Sequence, residues 1–357
     1  MNCTPADTSM LWNESLPAME ELRKNFDEAF PDASGTGELR FTPLHVNASH
    51  WLVAIQCKGR EGERLLLKGR KRHARIWQSL EAEHKLLTEV SPKIMAANPL
   101  TRTPEVFGYY PAVPALVLQM IDGHSLHQAL FGVHFKPSAD AIRSLLELCG
   151  QWLISFHSLT RRASYGNPFE AFHGLLELPD NRAVLQQFGQ PETYDQILSI
   201  SETLCQRYRT FRQQQCTIHG EFTPYHVLLD GKAIYVIDLA SSRVGYPYQD
   251  LGCFIASCDA LSPWRAATGT SRISLQAREA AFLAGYCHGG APLSIPEQTL
   301  IHLGRMERMI GFCHSMRSDN ALPNRLRRSL AVHWLPRRFA ALCRTNLLNV
   351  DHPTASD

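Results

Sequence analysis

The chain has 357 residues, of which 44% are hydrophobic and 20% are charged. This composition is typical of a globular protein of about two domains and excludes a disordered chain. The 36 basic and 34 acidic residues give a formal net charge of +2. So small a charge argues against a bulk nucleic-acid binder, and no nucleic acid is expected as a partner.

The cysteines and the apolar runs predict where the protein works. The ten cysteines form no CxxC pair, which argues against a structural zinc site. No basic start is followed by an apolar run, so we expect no signal peptide. No uncharged stretch reaches the ~20 residues of a membrane helix. We therefore predict a cytoplasmic protein with free thiols and no transmembrane segment.

The first part of the chain is predicted to be an extension followed by a small sheet. Residues 1–38 are expected to be a partly helical extension, because apolar residues recur at helical spacing from Ser15 to Phe30. Short apolar or alternating runs then predict strands at residues 39–46, 51–58, 64–68, 104–110 and 115–121. A helix over 74–90 is inserted after the third strand. We expect residues 39–121 to form a small antiparallel-sheet lobe.

From residue 122 the pattern becomes mainly helical. The predicted helices are 139–158, 275–285 and 296–315, and the predicted short strands are 227–229 and 234–237. Together these segments predict a helical lobe over 122–316. An arginine-rich extension over 317–357 follows, with a helix at 324–346 that Pro336 breaks or kinks. The fold class is therefore α+β.

The segment from His219 to Asp250 carries the chemistry. A polar loop with His219, Glu221 and His226 runs into a strand, and after a hairpin turn a second strand ends at Asp238. Two carboxylates joined by one hairpin can converge, so that one orients a hydroxyl and the other holds a divalent cation. This spacing suits metal-assisted phosphoryl transfer. A charged group at the end of an apolar strand also needs a partner.

This segment resembles the catalytic and metal-binding loops of the aminoglycoside phosphotransferase and choline kinase group. That group is a branch of the protein-kinase-like fold, and its usual pattern is HGDxxxxN, a hairpin, Ile-Asp and a later Asp-Leu. The matching residues are His219-Gly220-Glu221, His226, Ile237-Asp238 and Asp250-Leu251-Gly252. Other parts of the pattern are matched in the same order along the chain. Lys68 resembles the strand lysine and Glu83 its partner acid. Residues 115–126 resemble the hinge, and residues 153–159 resemble the end of the helix before the acceptor region. The resemblance covers residues 39–315 and implies a two-lobed fold.

The resemblance implies a nucleotide site in the sheet lobe. Lys68 would contact the α- and β-phosphates of ATP or GTP, and Glu83 would hold that lysine. Glu81 is the alternative partner, because the two acids lie in one helical turn. Backbone groups of Gln119 and Ile121 would bind the adenine, so their side chains matter little.

The resemblance also implies a metal and acceptor site with two departures from the family pattern. Asp238 would ligate Mg²⁺ or Mn²⁺, His226 would take the second ligand position, and Glu221 would orient the acceptor hydroxyl. Glutamate replaces the usual aspartate and displaces the carboxylate by ~1.5 Å, where a ~1 Å error can cost ~100-fold in rate. Histidine replaces asparagine, and imidazole suits Mn²⁺ better than Mg²⁺. The turn over 47–50, where the resemblance implies a loop that covers the nucleotide phosphates, lacks glycine. The Ser49 hydroxyl and the backbone N–H groups of this turn could still reach those phosphates.

These residues predict a small-molecule kinase that moves the γ-phosphoryl group of ATP or GTP to a hydroxyl acceptor. His226 and the glycine-poor turn favour an alternative, a pseudokinase that acts as nucleotide sensor or scaffold. Adenylylation on the same fold is a third and weaker hypothesis. A hydrolytic metal site of His219, Glu221, His226 and Asp238 would leave Lys68 unexplained. A nucleobase deaminase is rejected because the Pro-Cys-x-x-Cys half of its signature is absent.

The C-terminal arginines are the one compositional feature that bears on the acceptor. They are Arg317, Arg325, Arg327, Arg328, Arg337, Arg338 and Arg344, opposed by Asp319 alone. Such a run is usually a solvated helix face. The alternative is a docking surface for an anionic acceptor, a lipid head group or an acidic partner. The acids of the helical lobe form no obvious cluster for a cationic aminoglycoside, so antibiotic resistance is not predicted.

Overall fold

The structure is a computed structural model. It describes residues 39–46, 50–57, 64–70, 78–111, 115–132, 134–188, 191–260, 273–288 and 290–318. The described chain divides into two compact units. Unit 1 holds the residues up to Gly123 together with Asp230–Ala240, and unit 2 holds His124–Leu229 and the residues from Ser241 onward. The predictions for residues 1–38, for Ser49 and its turn, and for the arginines beyond Ser318 lie outside the described residues.

The described strands number twelve. In chain order they are β1 (Leu39–Val46), β2 (His50–Cys57), β3 (Arg64–Arg70), β4 (Thr101–Arg102), β5 (Val106–Tyr110), β6 (Ala115–Gln119), β7 (His124–Ser125), β8 (Arg161–Gly166), β9 (Gln213–Ile218), β10 (Val227–Asp230), β11 (Ala233–Val236) and β12 (Arg243–Gly245). The five strands predicted in the N-terminal lobe are confirmed within a few residues. So are the two short strands predicted near residue 230.

Unit 1 is built on a five-stranded antiparallel sheet in the order β1-β2-β3-β6-β5. Leu67 of β3 lies opposite Val117 of β6, and both side chains are fully buried. Burial of such cross-strand apolar pairs sets the register, because a slip by one residue would expose them. The predicted antiparallel sheet is therefore confirmed. The same unit holds a short parallel pair, in which Ile234 of β11 lies opposite Thr101 of β4.

The helix of unit 1, α1 (Gln78–Ala97), extends beyond its predicted end at residue 90. Leu80, Leu87, Val90 and Ile94 are all buried at helical spacing. Ile94 continues this apolar face past Pro92, so the helix follows its buried face for another two turns. Residues 74–77 of the predicted helix lie outside the described residues.

Unit 2 is mainly helical, as predicted. Its helices are α2 (Leu126–Phe131), α3 (Ala139–Leu159), α4 (Pro168–Glu177), α5 (Pro179–Phe188), α6 (Pro191–Arg207), α7 (Pro247–Ala260), α8 (Leu275–Tyr286) and α9 (Ile295–Ser318). Five of them, α2 and α4 to α7, were not predicted, and the last four share one feature. Each of the four begins with proline, which is favoured in the first turn because its missing N–H would be unpaired there. That proline is a signal from which these helices could have been located.

The core of unit 2 is aromatic and surrounds the start of a polar loop. The Trp152 ring of α3 stacks on Phe222 at 5.6 Å, and Phe254 of α7 stacks on Phe282 of α8 at 4.3 Å. All four side chains are buried. A small antiparallel sheet in the order β12-β9-β8 lies in the same unit. Its central strand, β9, leads directly into the loop that starts at residue 219.

Helices α3 and α8 pack closely against each other at Gly285 of α8. A Cβ added to Gly285 would lie 2.0 Å from the carbonyl oxygen of Glu147, so no larger residue fits without separating the helices. The close crossing holds α3 and α8 together beneath the aromatic core. No helix within the described ranges is long and apolar enough to cross a membrane.

Candidate active site

Lys68, Glu83 and Asp238 meet in unit 1 although 170 residues separate the first from the last. The Lys68 ammonium lies 2.9 and 2.8 Å from the two oxygens of Glu83 and 2.6 Å from Asp238 Oδ1. Glu83 Oε1 also accepts the backbone N–H of Leu239 at 3.1 Å. Strand β3 carries the lysine, α1 carries the glutamate, and the aspartate follows β11. The sheet and its helix therefore hold the three charges together.

The neighbouring acid Glu81 lies elsewhere. Its carboxylate pairs with Lys85 at 2.6 Å, and both side chains are exposed. Glu83, by contrast, has a side chain only 1% exposed. The helix therefore turns one acid towards Lys68 and the other towards solvent.

The buried lysine is held in its charged form. Burial acts to lower the pKa of Lys68, but the combined attraction and hydrogen bonds of Glu83 and Asp238 raise it overall. Burial raises the pKa of Glu83, and the nearby ammonium opposes that effect. The group is thus a cation between two carboxylates. That arrangement could release Lys68 to phosphate oxygens while keeping it oriented.

Asp238 has an unusual backbone conformation. It has φ 64°, and among the described residues it is the one non-glycine residue with a positive φ. This left-handed conformation costs an L-residue about 1–2 kcal/mol, although aspartate tolerates it better than most. Strain of this kind accumulates at functional sites, where the surrounding structure enforces it. Here the enforced conformation directs the carboxylate at Lys68.

The predicted hinge residues lie at the end of β6, where Gln119 is its last residue, and just after it. The backbone N–H of Gln119 is bonded to Glu105 O at 2.8 Å, and its side chain accepts a weaker bond from Glu105 N. Ile121 takes part in no hydrogen bond within the described part of the chain. Ser49, the remaining predicted nucleotide contact, lies outside the described residues.

In unit 2 the loop after β9 is anchored by Asp250 of α7. One of its oxygens accepts the N–H of His219 at 2.7 Å, and the other accepts the N–H of Gly220 at 2.9 Å. His157 Nε2 lies 3.0 Å from the first oxygen. Because a carboxylate only accepts, Nε2 carries the proton, and His157 Nδ1 can accept from the Tyr286 hydroxyl 3.1 Å away. Asp250 thus holds the backbone of the loop in place.

The ionisation of Asp250 depends on these donors. Burial acts to raise the pKa of Asp250, but its hydrogen bonds with His157 and the His219 backbone, together with those imidazoles, lower it overall. Burial also raises the pKa of Tyr286, which keeps its hydroxyl proton. The predictions from sequence did not include Tyr286 or a bonded role for His157. The buried polar positions on two otherwise apolar helix faces were the available signal.

Glu221 and His226 lie together at the end of this loop. A carboxylate oxygen of Glu221 and a ring nitrogen of His226 are within 4.8 Å of each other. His226 Nδ1 lies 2.8 Å from the carbonyl oxygen of Glu221, so Nδ1 carries the proton and the lone pair is on Nε2. His219 is fully buried, and its Nδ1 lies 3.4 Å from the Glu221 N–H. It supports the backbone of the loop.

A charged group that was not predicted lies beside the same loop. The Arg243 guanidinium of β12 rests against Gly220, whose added Cβ would lie 2.5 Å from Arg243 Nη1. Gly220 has φ +83°, which an L-residue rarely adopts. Glu307 of α9 lies 3.7 Å from the guanidinium and accepts two bonds from Gln249, at 2.9 and 3.1 Å. The sequence offers no local signal for this contact, because its partners are far apart in the chain.

The predicted site residues thus form two groups. Lys68, Glu83 and Asp238 meet within unit 1, and Glu221 and His226 meet within unit 2. Each group combines a carboxylate with a group that could bind phosphate or metal. Within unit 1 the three side chains are hydrogen-bonded, and within unit 2 a Glu221 carboxylate oxygen and a His226 ring nitrogen lie within 4.8 Å.

Comparison with known proteins identifies the family. The model described as "Phosphotransferase enzyme family" matches residues 55–290, more than half of the chain. No curated protein matches the chain. The solved structures similar to it include a macrolide 2'-phosphotransferase from Brachybacterium faecium, with 15% identity over 88% of this chain and 98% of that chain and a TM-score of 0.53.

Two further structures have comparable similarity. A choline/ethanolamine kinase family protein from Mesorhizobium loti is 13% identical over 90% of this chain and 95% of that chain, with a TM-score of 0.52. An ADP-bound aminoglycoside phosphotransferase, APH(2'')-Ib, is 15% identical over 92% of this chain and 97% of that chain, with a TM-score of 0.52. At these identities the similarity concerns the fold, which is protein-kinase-like. The fold and family expected from the sequence are confirmed.

Proposed function

The chain belongs to the phosphotransferase enzyme family, and on this premise we propose that it is an active kinase that moves the γ-phosphoryl group of ATP to a hydroxyl of a small molecule. The observation that carries the proposal is the buried cation of Lys68 between Glu83 and Asp238. Such a group is weak evidence for stability, because a packed apolar pair would often stabilise the fold as well. A ligand that binds the lysine explains the presence of this buried charge better than stability does. Solved structures of similar fold hold ADP in one case and GDP in another, which supports a purine nucleotide as the phosphoryl donor.

The proposed reaction assigns a task to each residue. Lys68 would neutralise the α- and β-phosphates, and Ile121 with Gln119 would bind the adenine through backbone groups. The acceptor oxygen would form a bond to the γ-phosphorus as the bond to the bridging oxygen of the β-phosphate breaks. Glu221 would orient the hydroxyl and take its proton, and ADP would leave with the electron pair of the broken bond.

The donors present fit a divalent metal. Asp238 supplies a carboxylate, and the tautomer of His226 leaves a lone pair on Nε2, the form in which imidazole ligates a metal. A divalent ion held by these residues would supply charge neutralisation at the phosphates of the nucleotide. The mixed oxygen and nitrogen set suits Mn²⁺ at least as well as Mg²⁺.

The test is turnover of ATP by purified protein with a panel of hydroxyl acceptors. Lys68→Ala and Asp238→Ala should each remove product formation, measured as ADP release and as a mass increase of the acceptor by one phosphoryl group. Lys85→Ala is the matched control, because Lys85 is an exposed lysine of the neighbouring helix paired with Glu81, and it should retain wild-type turnover. Full turnover by both site variants would contradict the proposal.

His226 favours one alternative, a nucleotide sensor without catalysis. Histidine stands where the family pattern has asparagine, and a displaced metal could support binding without transfer. Thermal unfolding with ATP and either Mg²⁺ or Mn²⁺ separates the two functions. Stabilisation by nucleotide without product from any acceptor would favour the sensor, whereas product formation would exclude it.

A further inference from the structure

Arg243 lies in unit 2 at the edge of the loop that holds Glu221. It begins β12, where it pairs with Ile218, the last residue of β9. Its Nη1 lies against Gly220, the residue directly before Glu221. The side chain of Arg243 is 51% exposed. A half-exposed cation therefore lies beside the backbone of the residue that precedes Glu221.

The hydrogen-bond donors of this guanidinium are not engaged within the described residues. Its one acidic neighbour there, Glu307, lies 3.7 Å away, which is beyond hydrogen-bond distance. The Glu307 oxygens instead accept the two bonds from Gln249. Gln249 in turn accepts the N–H of Tyr246 at 2.9 Å. Glu307 thus orients Arg243 by charge while its hydrogen bonds go elsewhere.

An arginine held in this way differs from an ordinary surface arginine. One edge of the guanidinium lies against Gly220, where a Cβ would come within 2.5 Å of Nη1. Glu307 is held by α9 on another side. A planar fork with a fixed position and open donors suits bidentate binding of a carboxylate or phosphate. An isolated surface arginine would lose side-chain entropy on binding, whereas this one is already oriented.

We propose that Arg243 forms a subsite for an oxyanion of the acceptor, so that the substrate carries a carboxylate or phosphate close to the hydroxyl that receives the phosphoryl group. The inference rests on the proposed function, because it places the acceptor at Glu221. It makes Arg243 a specificity-determining residue. Cationic acceptors would be disfavoured, because their charge would meet the guanidinium beside the reacting hydroxyl.

The test compares acceptors that share a short hydroxylated carbon chain but differ in charge. Glycerate and glycerol 3-phosphate carry an oxyanion, glycerol is neutral, and choline is cationic. Binding of each compound to the full chain with ADP and Mn²⁺ is measured by titration calorimetry, which needs no turnover. Product formation with ATP is measured in parallel. Both anions should bind more tightly than glycerol and choline, and the comparison of glycerate with glycerol 3-phosphate tells which oxyanion is preferred.

The variants Arg243→Gln and Arg243→Lys isolate the guanidinium. Arg243→Gln should weaken binding of the anions by about tenfold or more, since a hydrogen bond to a charged group contributes about 1.5–3 kcal/mol. Arg243→Lys should lose less, because it keeps the charge but not the fork. Neither variant should change glycerol binding. The control is Arg143→Gln on α3, an arginine with the same 51% exposure whose partner is Asp140.

The results that would overturn the inference are distinct from a failure of the proposed function. Equal or tighter binding of glycerol or choline, or unchanged anion binding in Arg243→Gln, would exclude the subsite. A fall in the rate of product formation that is the same for every acceptor, with unchanged acceptor KM, would place Arg243 at the transferred phosphoryl group instead. Failure of the proposed function would appear as absence of ATP binding and of any effect of Lys68→Ala.

Discussion

Replacing Glu83 by alanine should destabilise the protein substantially, because it leaves a buried cation with one partner. The side chains of Lys68 and Glu83 are 10% and 1% exposed. Removing one member of a buried ion pair typically costs 3–5 kcal/mol, and the Leu239 N–H also loses its acceptor. Asp238 remains beside Lys68, with a side chain 39% exposed, and offsets part of the loss. We expect a decrease in the free energy of unfolding of about 3 kcal/mol.

The measurement is urea unfolding followed by circular dichroism, with Glu81→Ala as the matched control. Glu81 lies two positions away on the same helix, but its ion pair with Lys85 is exposed, so its loss should leave the free energy of unfolding nearly unchanged. Glu83→Gln should fall between the two, because an amide oxygen can still accept from Lys68 and Leu239. The reasoning fails if Glu83→Ala costs no more than Glu81→Ala, or if Glu83→Gln costs as much as Glu83→Ala.

Four further predictions follow from particular residues. Asp238→Gly should be more stable than Asp238→Ala by about 1 kcal/mol in urea unfolding, since glycine tolerates the positive φ; equal stabilities would remove the argument for backbone strain. The pKa of Asp250 is lowered in the folded protein, so its ionised form stabilises the fold above the unfolded value of 3.8, and this contribution is lost as pH falls through the folded pKa. The difference in free energy of unfolding between wild type and Asp250→Asn should therefore shrink between pH 6 and about pH 3. A constant difference would contradict this. Gly285→Ala should destabilise the protein by about 1–3 kcal/mol through overpacking. Gly174→Ala has nothing within 4 Å of its new Cβ and should stabilise the protein by about 0.5–1 kcal/mol. The reverse order of stabilities would refute the close helix crossing. His226→Asn should raise the ratio of activity with Mg²⁺ to activity with Mn²⁺; an unchanged ratio would show that His226 is not a ligand.

Local periodicity located most of the elements near the site. The strands at 39–46 and 115–119 follow from apolar runs bounded by turns, because a strand buries alternate or consecutive residues within a few positions. The helices α2 and α4 to α7 were missed; the proline that begins each of the last four was an unused signal. Helix α1 was predicted to end at residue 90, but the burial of Ile94 continues its apolar face past Pro92. Packing against unit 1 outweighed the cost of the proline there.

The chemistry of the site could be anticipated from residue types in order, but the pairing of those residues could not. Lys68 and Asp238 were visible as strand-end charges, because a charge beside an apolar strand is recognisable in the sequence alone. The choice of Glu83 over Glu81 depends on which side of α1 faces β3, and two acids in one helical turn look alike before the helix is packed. The position of Arg243 beside the loop could not be predicted from the sequence either. Its contact with Gly220 and its separation from Glu307 arise from three distant segments, whose approach is decided by burial of the aromatic core and not by any local preference.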